Sequence, residues 1–289
     1  MTPAETNIYG DSSFRDVDVG QVMRIGHVDI ADGDRYIIDV VVRHRAEIGK
    51  PLRIIDIGSG SGHLTKLLAE ALPDCEVIAN EIESAPIAQA KAKLLPHPNA
   101  RVFERPFDEW NEPTDVVISW GSHHHMSHGY LSRLKNILTE DGVFIVGDEF
   151  CPEYIPQDVR DRLDRADTIV LAGGYIFDSE SDLRAYRDNG SIPEWSLDLE
   201  ISRRKALWHW YKFVCDKAIE NNEWMVAVCE LQIARDDLMT EFASEHKTSS
   251  YLLQRELSLS GYRIVESRLI GDRDPSLMSF EVFCCRPIG

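Results

Sequence analysis

Ile54–Leu64 reads IIDIGSGSGHL. Leu52, Ile54, Ile55 and Ile57 supply the apolar positions of a short buried strand. Gly58, Gly60 and Gly62 then force a tight turn, and over His63–Leu72 the apolar residues return at helical spacing. Strand, glycine turn and helix make a nucleotide cradle. Glycines accept positive φ and let backbone N–H groups approach a ligand, and the helix opens there with the positive end of its dipole.

The glycine spacing narrows the ligand. The dinucleotide fingerprint G-x-G-x-x-G fails from Gly58, because the sixth position is His63. It fails from Gly60 as well, where Thr65 stands in place of the last glycine, with Lys66 after it. No G-x-x-x-x-G-K-[ST] phosphate loop occurs. The pattern from Asp56 to Gly62 is D-x-G-x-G-x-G. With it the stretch resembles the first motif of the class I S-adenosylmethionine-dependent methyltransferases. The resemblance implies that Asp56, Gly58, Ser59, Gly60 and Gly62 hold the methionine part of that cofactor rather than a pyrophosphate.

Working outward, the chain keeps to one plan. Asp34–Glu47 has helical spacing and is stopped by Gly49-Lys50-Pro51. Beyond the glycine motif, CEVIAN (75–80) is a second strand closed by Glu81-Ile82-Glu83. Glu81 lies 19 residues after Gly62, near the ~20 at which an acid ending the second strand meets ribose hydroxyls. A carboxylate suits a vicinal diol because it accepts two hydrogen bonds. Glu83 is the fallback, and Ile82 is expected beside the adenine. Ser84–Leu95 is a helix with a Ser cap, and Arg101–Glu104 a third strand. The resemblance sets Phe107 and Asp108 against the adenine ring and its amine, with core packing the competing role for Phe107.

DVVIS (115–119) is a fourth strand, apolar in its middle as a central parallel strand should be. It runs through Ser119 into WGSHHHMSH, followed by a helix over 130–138, a turn at Thr139-Glu140-Asp141-Gly142 and a fifth strand over Val143–Val146 that ends in Gly147-Asp148-Glu149. The resemblance thus covers residues 34–150 in order. It implies an α/β, Rossmann-like, doubly wound, mostly parallel seven-stranded sheet with an antiparallel last strand. Tyr262–Leu269 and Phe280–Arg286 are its closing strands.

Residues 151–245 interrupt that plan. Ser202–Ile219 and Glu223–Phe242 read as two long helices, striped by Leu207, Tyr211, Val214 and Ala218, and by Trp224, Ala227, Leu231, Ala234, Leu238 and Phe242. Gly173–Glu194 reads as turns. The expected domains are an N-terminal arm over 1–33, with Tyr9 a candidate to close over the cofactor, a methyltransferase core over 34–150 and 246–289, and a helical cap over 151–245 on the substrate side. The cap helices offer either a lid or the face of a homodimer.

Methyl transfer from a sulfonium is an in-line displacement. The enzyme must align nucleophile, methyl and sulfur, exclude water, and take a proton when the nucleophile is a hydroxyl or acidic carbon. The loop after the fourth strand faces the methyl group in the resembled fold. It carries His123, His124, His125 and His128, and histidine titrates near neutrality. His124, then His123, is the candidate base; Asp148 and Glu149 are candidates to orient it or to bind a cationic substrate. His128 with another loop histidine and an acid of 148–149 would make a two-His-one-carboxylate metal set, but no ligand-pair motif such as H-E-x-x-H occurs, and no metal is expected. Arg203, Arg204, Lys205 and His246 are secondary candidates at the substrate.

The formal net charge of −18 argues against nucleic acid, and no apolar run approaches the ~20 residues of a membrane span. The N-terminus shows no signal-peptide pattern. Six cysteines without C-x-x-C spacing point to reduced thiols and a cytoplasmic protein. The sequence lacks an N/D-P-P-Y/F stretch after the fourth strand and a glutamate pair bracketing that loop, and it has Ser119 where the metal-dependent catechol type carries an acid. A small-molecule acceptor, through oxygen, nitrogen or activated carbon, is the expected substrate. The alternatives are a cofactor-binding regulatory protein of the same fold, a metal-assisted methyltransferase, and a nicotinamide-dependent oxidoreductase, against which His63 counts.

Overall fold

The computed structural model describes residues 14, 17–27, 29–126, 129–239, 246–271, 274 and 277–288. Tyr9, His128, Phe242 and Glu245 lie outside the described residues. The described chain groups into two units. One holds residues up to Asp148 with Arg263–Gly271 and Phe280 onward; the other holds Glu149–Tyr262 with the described residues of 272–279.

The first unit is built on a seven-stranded sheet. Its strands are β1 (Arg53–Ile57), β2 (Glu76–Asn80), β3 (Ala100–Phe103), β4 (Thr114–Trp120), β5 (Leu138–Phe150), β8 (Tyr262–Ile270) and β9 (Ser279–Pro287), in the order β3-β2-β1-β4-β5-β9-β8. The first five pair in parallel, and the last strand is antiparallel. That is the expected sheet. Central strands buried on both faces need unbroken apolar sequence, and Val116, Val117 and Ile118 of β4 are fully buried. Helix α2 (Ile30–Ile48) leads into β1, and α3 (His63–Ala71), α4 (Ser84–Leu94) and α5 (Tyr130–Ile137) connect strands. Gly49 closes α2 in the left-handed conformation, as its place before Lys50-Pro51 suggests.

The register decides where a ligand can sit. Phe103, Asn80, Ile57, Ser119 and Val146 are aligned across five strands at the carboxyl edge. The chain leaves β1 toward β2 and β3 on one side, and β4 and β5 lie on the other. The strand order therefore reverses between β1 and β4, the crevice in which open α/β sheets bind ligands.

Local differences from expectation have identifiable causes. The arm expected over 1–33 contains α1 (Val19–Gly26), whose start is capped by Asp18 accepting from the Gln21 N–H at 3.0 Å. The N-cap of α4 is Glu83 and makes no side-chain cap bond; Ser84 is already helical.

The second unit contains α6 (Gln157–Asp164), the hairpin β6 (Val170–Ala172) and β7 (Tyr175–Phe177), α7 (Glu180–Asn189), α8 (Glu194–Glu220), α9 (Trp224–Leu238) and α10 (Ser250–Leu259). The stretch expected as turns holds the hairpin, turned by Gly173-Gly174 at positive φ, and α7, capped by Ser179 and stopped by Gly190. Helix α8 begins at Glu194, directly after Pro193, about two turns before the expected start at Ser202. Ile155, Leu163, Ile176, Leu199 and Leu252 pack as one core, which joins α10 to α6, β7 and α8. Among the described residues no helix is long and apolar enough to cross a membrane. All six cysteines are buried free thiols.

Candidate active site

The glycine loop runs from the end of β1 into α3, and its backbone is fixed from several sides. Gly58, Gly60 and Gly62 have φ of 63°, 53° and 73°. A Cβ on Gly58 would sit 2.6 Å from Ser122 Cβ, so this glycine is required by the loop after β4. A Cβ on Gly60 would meet nothing within 4 Å, and its side faces open space. Ser59 N–H donates to Asn80 O at 3.0 Å, tying the loop to the end of β2.

Glu81 is turned onto this loop. Its Oε2 accepts the Gly60 N–H at 2.9 Å, and its Oε1 accepts the Ile82 and Glu83 N–H groups at 2.7 and 3.0 Å. Burial raises its pKa, against the lowering effect of those three donors. A carboxylate offers about four acceptor sites. Three are filled, so gripping both hydroxyls of a diol requires release of at least one backbone N–H.

Asp56 sits behind the loop, not in it. It is buried, accepts Thr65 Oγ1–H at 2.7 Å, and is pushed up to about 7 by burial. Next to it Asp34 pairs with Arg24 and accepts the Trp120 indole N–H at 3.0 Å. Ile82 is exposed, Phe107 is buried, and Asp108 is exposed with Arg133 Nε 3.9 Å away. Ser119 is fully buried; its hydroxyl lies 2.8 Å from Ser122 Oγ, which donates to Ile57 O at 2.7 Å. Ser119 and Ser122 thus brace the glycine loop against the loop after β4. Phe14, Val17, Gly60, Ser61, Pro86 and Gln89 line a pocket over the glycines, where Lys93 Nζ donates to Ser61 Oγ at 2.8 Å.

The loop after β4 forms a 3-10 turn at His123–His125. Asp148, buried at the end of β5, holds His124 twice: Oδ2 accepts the His124 backbone N–H at 2.9 Å and Oδ1 lies 2.8 Å from the ring Nδ1. A carboxylate only accepts, so Nδ1 carries the hydrogen and Nε2 is left as the basic nitrogen of the neutral ring. His123 Nδ1 lies 2.6 Å from the hydroxyl of buried Tyr130, a partner the sequence did not single out. Among the described residues no group of three or more His, Cys, Asp or Glu side chains is arranged to hold a metal ion.

In the second unit, Glu149 Oε2 lies 3.7 Å from Lys247 Nζ, and His246 is buried. Arg203, expected to meet an anionic substrate, is itself buried. Its guanidinium makes five contacts: two to Glu200 at 2.7 and 3.0 Å, and the others to Asp237 Oδ1, Asp237 O and Lys247 O at 2.6–3.0 Å. A guanidinium with all five donors used binds nothing further. Arg204 leans on Glu200, and Lys205 is exposed.

The residues present fit S-adenosylmethionine: Gly60 opens onto space, an acid follows β2, and both lie at the sheet's reversal point. Residues 55–144 match the family model described as "Methyltransferase domain". No curated protein matches the chain. Among solved structures, magnesium protoporphyrin IX methyltransferase (ChlM) from Synechocystis PCC 6803 with bound SAH is 13% identical, with 94% of this chain and 95% of that chain covered and a TM-score of 0.48. A SAM dependent methyltransferase from Aquifex aeolicus is also 13% identical, covering 99% of this chain and 98% of that one, TM-score 0.45. Coclaurine N-methyltransferase bound to N-methylheliamine and SAH is 16% identical, covering 88% and 72%, TM-score 0.43. Residues 55–144, which hold the β1–glycine–α3 cradle, are thus similar to a methyltransferase domain.

Proposed function

We propose that the protein transfers a methyl group from S-adenosylmethionine to a small-molecule acceptor, with His124 as general base and Asp148 as the residue that positions it. The observation that carries this reading is the double hold of Asp148 on His124, at 2.9 Å to its backbone and 2.8 Å to its ring. A carboxylate behind Nδ1 fixes the tautomer, aims Nε2, and stabilises the imidazolium formed when a proton arrives. Ser122, two residues earlier, touches the glycine loop, so the base and the cofactor cradle share one scaffold. When bound, S-adenosylmethionine supplies an electrophilic methyl on a sulfonium. Gly58, Gly60, Gly62 and Ser59 would hold its methionine part, Glu81 its ribose, and Ile82 with Phe107 its adenine.

The test is transfer of labelled methyl to a panel of hydroxyl-, amine- and activated-carbon acceptors, with homocysteine-product formation as readout. The wild type is expected to turn over at least one acceptor, and His124→Gln to lower kcat by about 10²–10⁴ with cofactor affinity retained. Unchanged turnover in His124→Gln would remove the histidine from the mechanism.

A further inference from the structure

Helix α9 buries Val226, Ala227, Cys229, Ile233 and Ala234 but leaves its bulkiest apolar side chains outside. Trp224 and Leu231, expected on its buried stripe, are 59% and 54% exposed, with Val228 beside them at 50%. Glu230, Asp236 and Asp237 are buried beside those smaller apolar residues. Asp237 is held there because it neutralises Arg203 and accepts the Tyr211 hydroxyl at 2.8 Å. Trp224, Val228 and Leu231, three large apolar residues at i, i+4 and i+7, are exposed together.

Helix α8 carries a matching stripe. Leu197, Trp208 and Ile219 are 42%, 50% and 45% exposed, and each is eleven residues from the next. Eleven residues are close to three full turns, so the three share one line on the helix, about 16 Å apart. Trp208 stands at the middle of the 27-residue helix.

We infer that this face of the α8–α9 hairpin is a homodimer interface, in which α8 crosses its own copy antiparallel about a two-fold axis at Trp208. The pattern is self-complementary. The axis sets Trp208 on Trp208 of the copy and Leu197 opposite the copy's Ile219, as an isologous contact demands. Arg204 and Lys212, four residues either side of Trp208, are each paired with an acid of their own helix, Glu200 and Asp216. Their mutual approach therefore meets no bare like charge.

The exposed fractions of the six stripe residues amount to about three whole side chains, so with full areas of roughly 150–250 Å² they leave on the order of 600 Å², the lower end of what each partner gives a standard interface. An anionic bilayer is the poorer occupant, since a chain of net charge −18 is repelled by it.

Sedimentation velocity on the full chain at about 10–100 μM tests this, together with Trp208→Glu and Trp208→Cys. The expected results are a wild-type dimer, a Trp208→Glu monomer with unchanged circular dichroism, and covalent dimers from Trp208→Cys under mild oxidation. The native thiols are all buried, so they supply no background crosslink. A monomeric wild type overturns the inference, as does a dimer indifferent to Trp208→Glu. Binding of a monomeric wild type to anionic vesicles would give the face to a membrane instead.

Discussion

Glu81 concentrates the cofactor question in one side chain. Its three backbone donors hold the glycine loop and the start of α4 in shape, while the ribose reading asks the same carboxylate to accept two hydroxyls. Glu81→Gln keeps one acceptor oxygen, and Glu81→Ala keeps none. Losing a charged hydrogen-bond acceptor costs about 1.5–3 kcal/mol, so S-adenosylhomocysteine affinity should fall about tenfold or more for Ala and less for Gln, by calorimetry. Equal losses would assign Glu81 to the loop alone.

Asp56 gives a separate residue-scale expectation. Its folded pKa of about 7 lies above its ordinary 3.8, so the folded state retains a proton that the unfolded chain releases. The stabilisation is complete below pH ~4 and is lost as pH rises toward 7. Raising pH from 5 to 8 should cost up to a few kcal/mol of unfolding free energy, and Asp56→Asn should flatten that slope. A slope unchanged in the variant would place the titration elsewhere.

At the scale of elements, Trp120 joins three of them. Its indole occupies the space a Cβ would need on Gly33 of α2 and Gly147 of β5, at 2.3 and 2.7 Å, and it donates to Asp34. Trp120 also opens the loop that carries His124. Gly33→Ala or Gly147→Ala should therefore cost about 1–3 kcal/mol by overpacking, seen as a lower urea midpoint with an unchanged slope. A midpoint equal to wild type would mean that the indole moves freely, contrary to its packing.

Some elements were legible in the sequence and others were not. β1, the glycine loop and β4 were readable because a buried parallel strand leaves an unbroken apolar signature and positive φ leaves glycines. The pairing of His124 with Asp148 was not readable as a contact, since 24 residues separate them and only the β4–β5 register brings them together. Ser122 and Tyr130 carried no signal beyond being polar side chains near a loop. The helical unit was read least well. Periodicity finds Ala227 and Ala234 on the buried face of α9 but misplaces Trp224 and Leu231, which are exposed while Asp237 is buried against Arg203, a long-range pairing that periodicity does not register.

For the whole molecule, the sheet order places the cradle and the histidine loop at one edge by topology, and the match over 55–144 covers that edge from β1 into β5. Activity then depends on whether this edge binds the cofactor. Isothermal titration of S-adenosylhomocysteine into the wild type and Gly60→Arg is the most direct measurement. Gly60 faces open space, so an arginine there fills the cradle while the packed sides of the loop keep their contacts. The account predicts micromolar binding by the wild type and none by Gly60→Arg. An absence of binding by the wild type, or binding indifferent to the arginine, would contradict it.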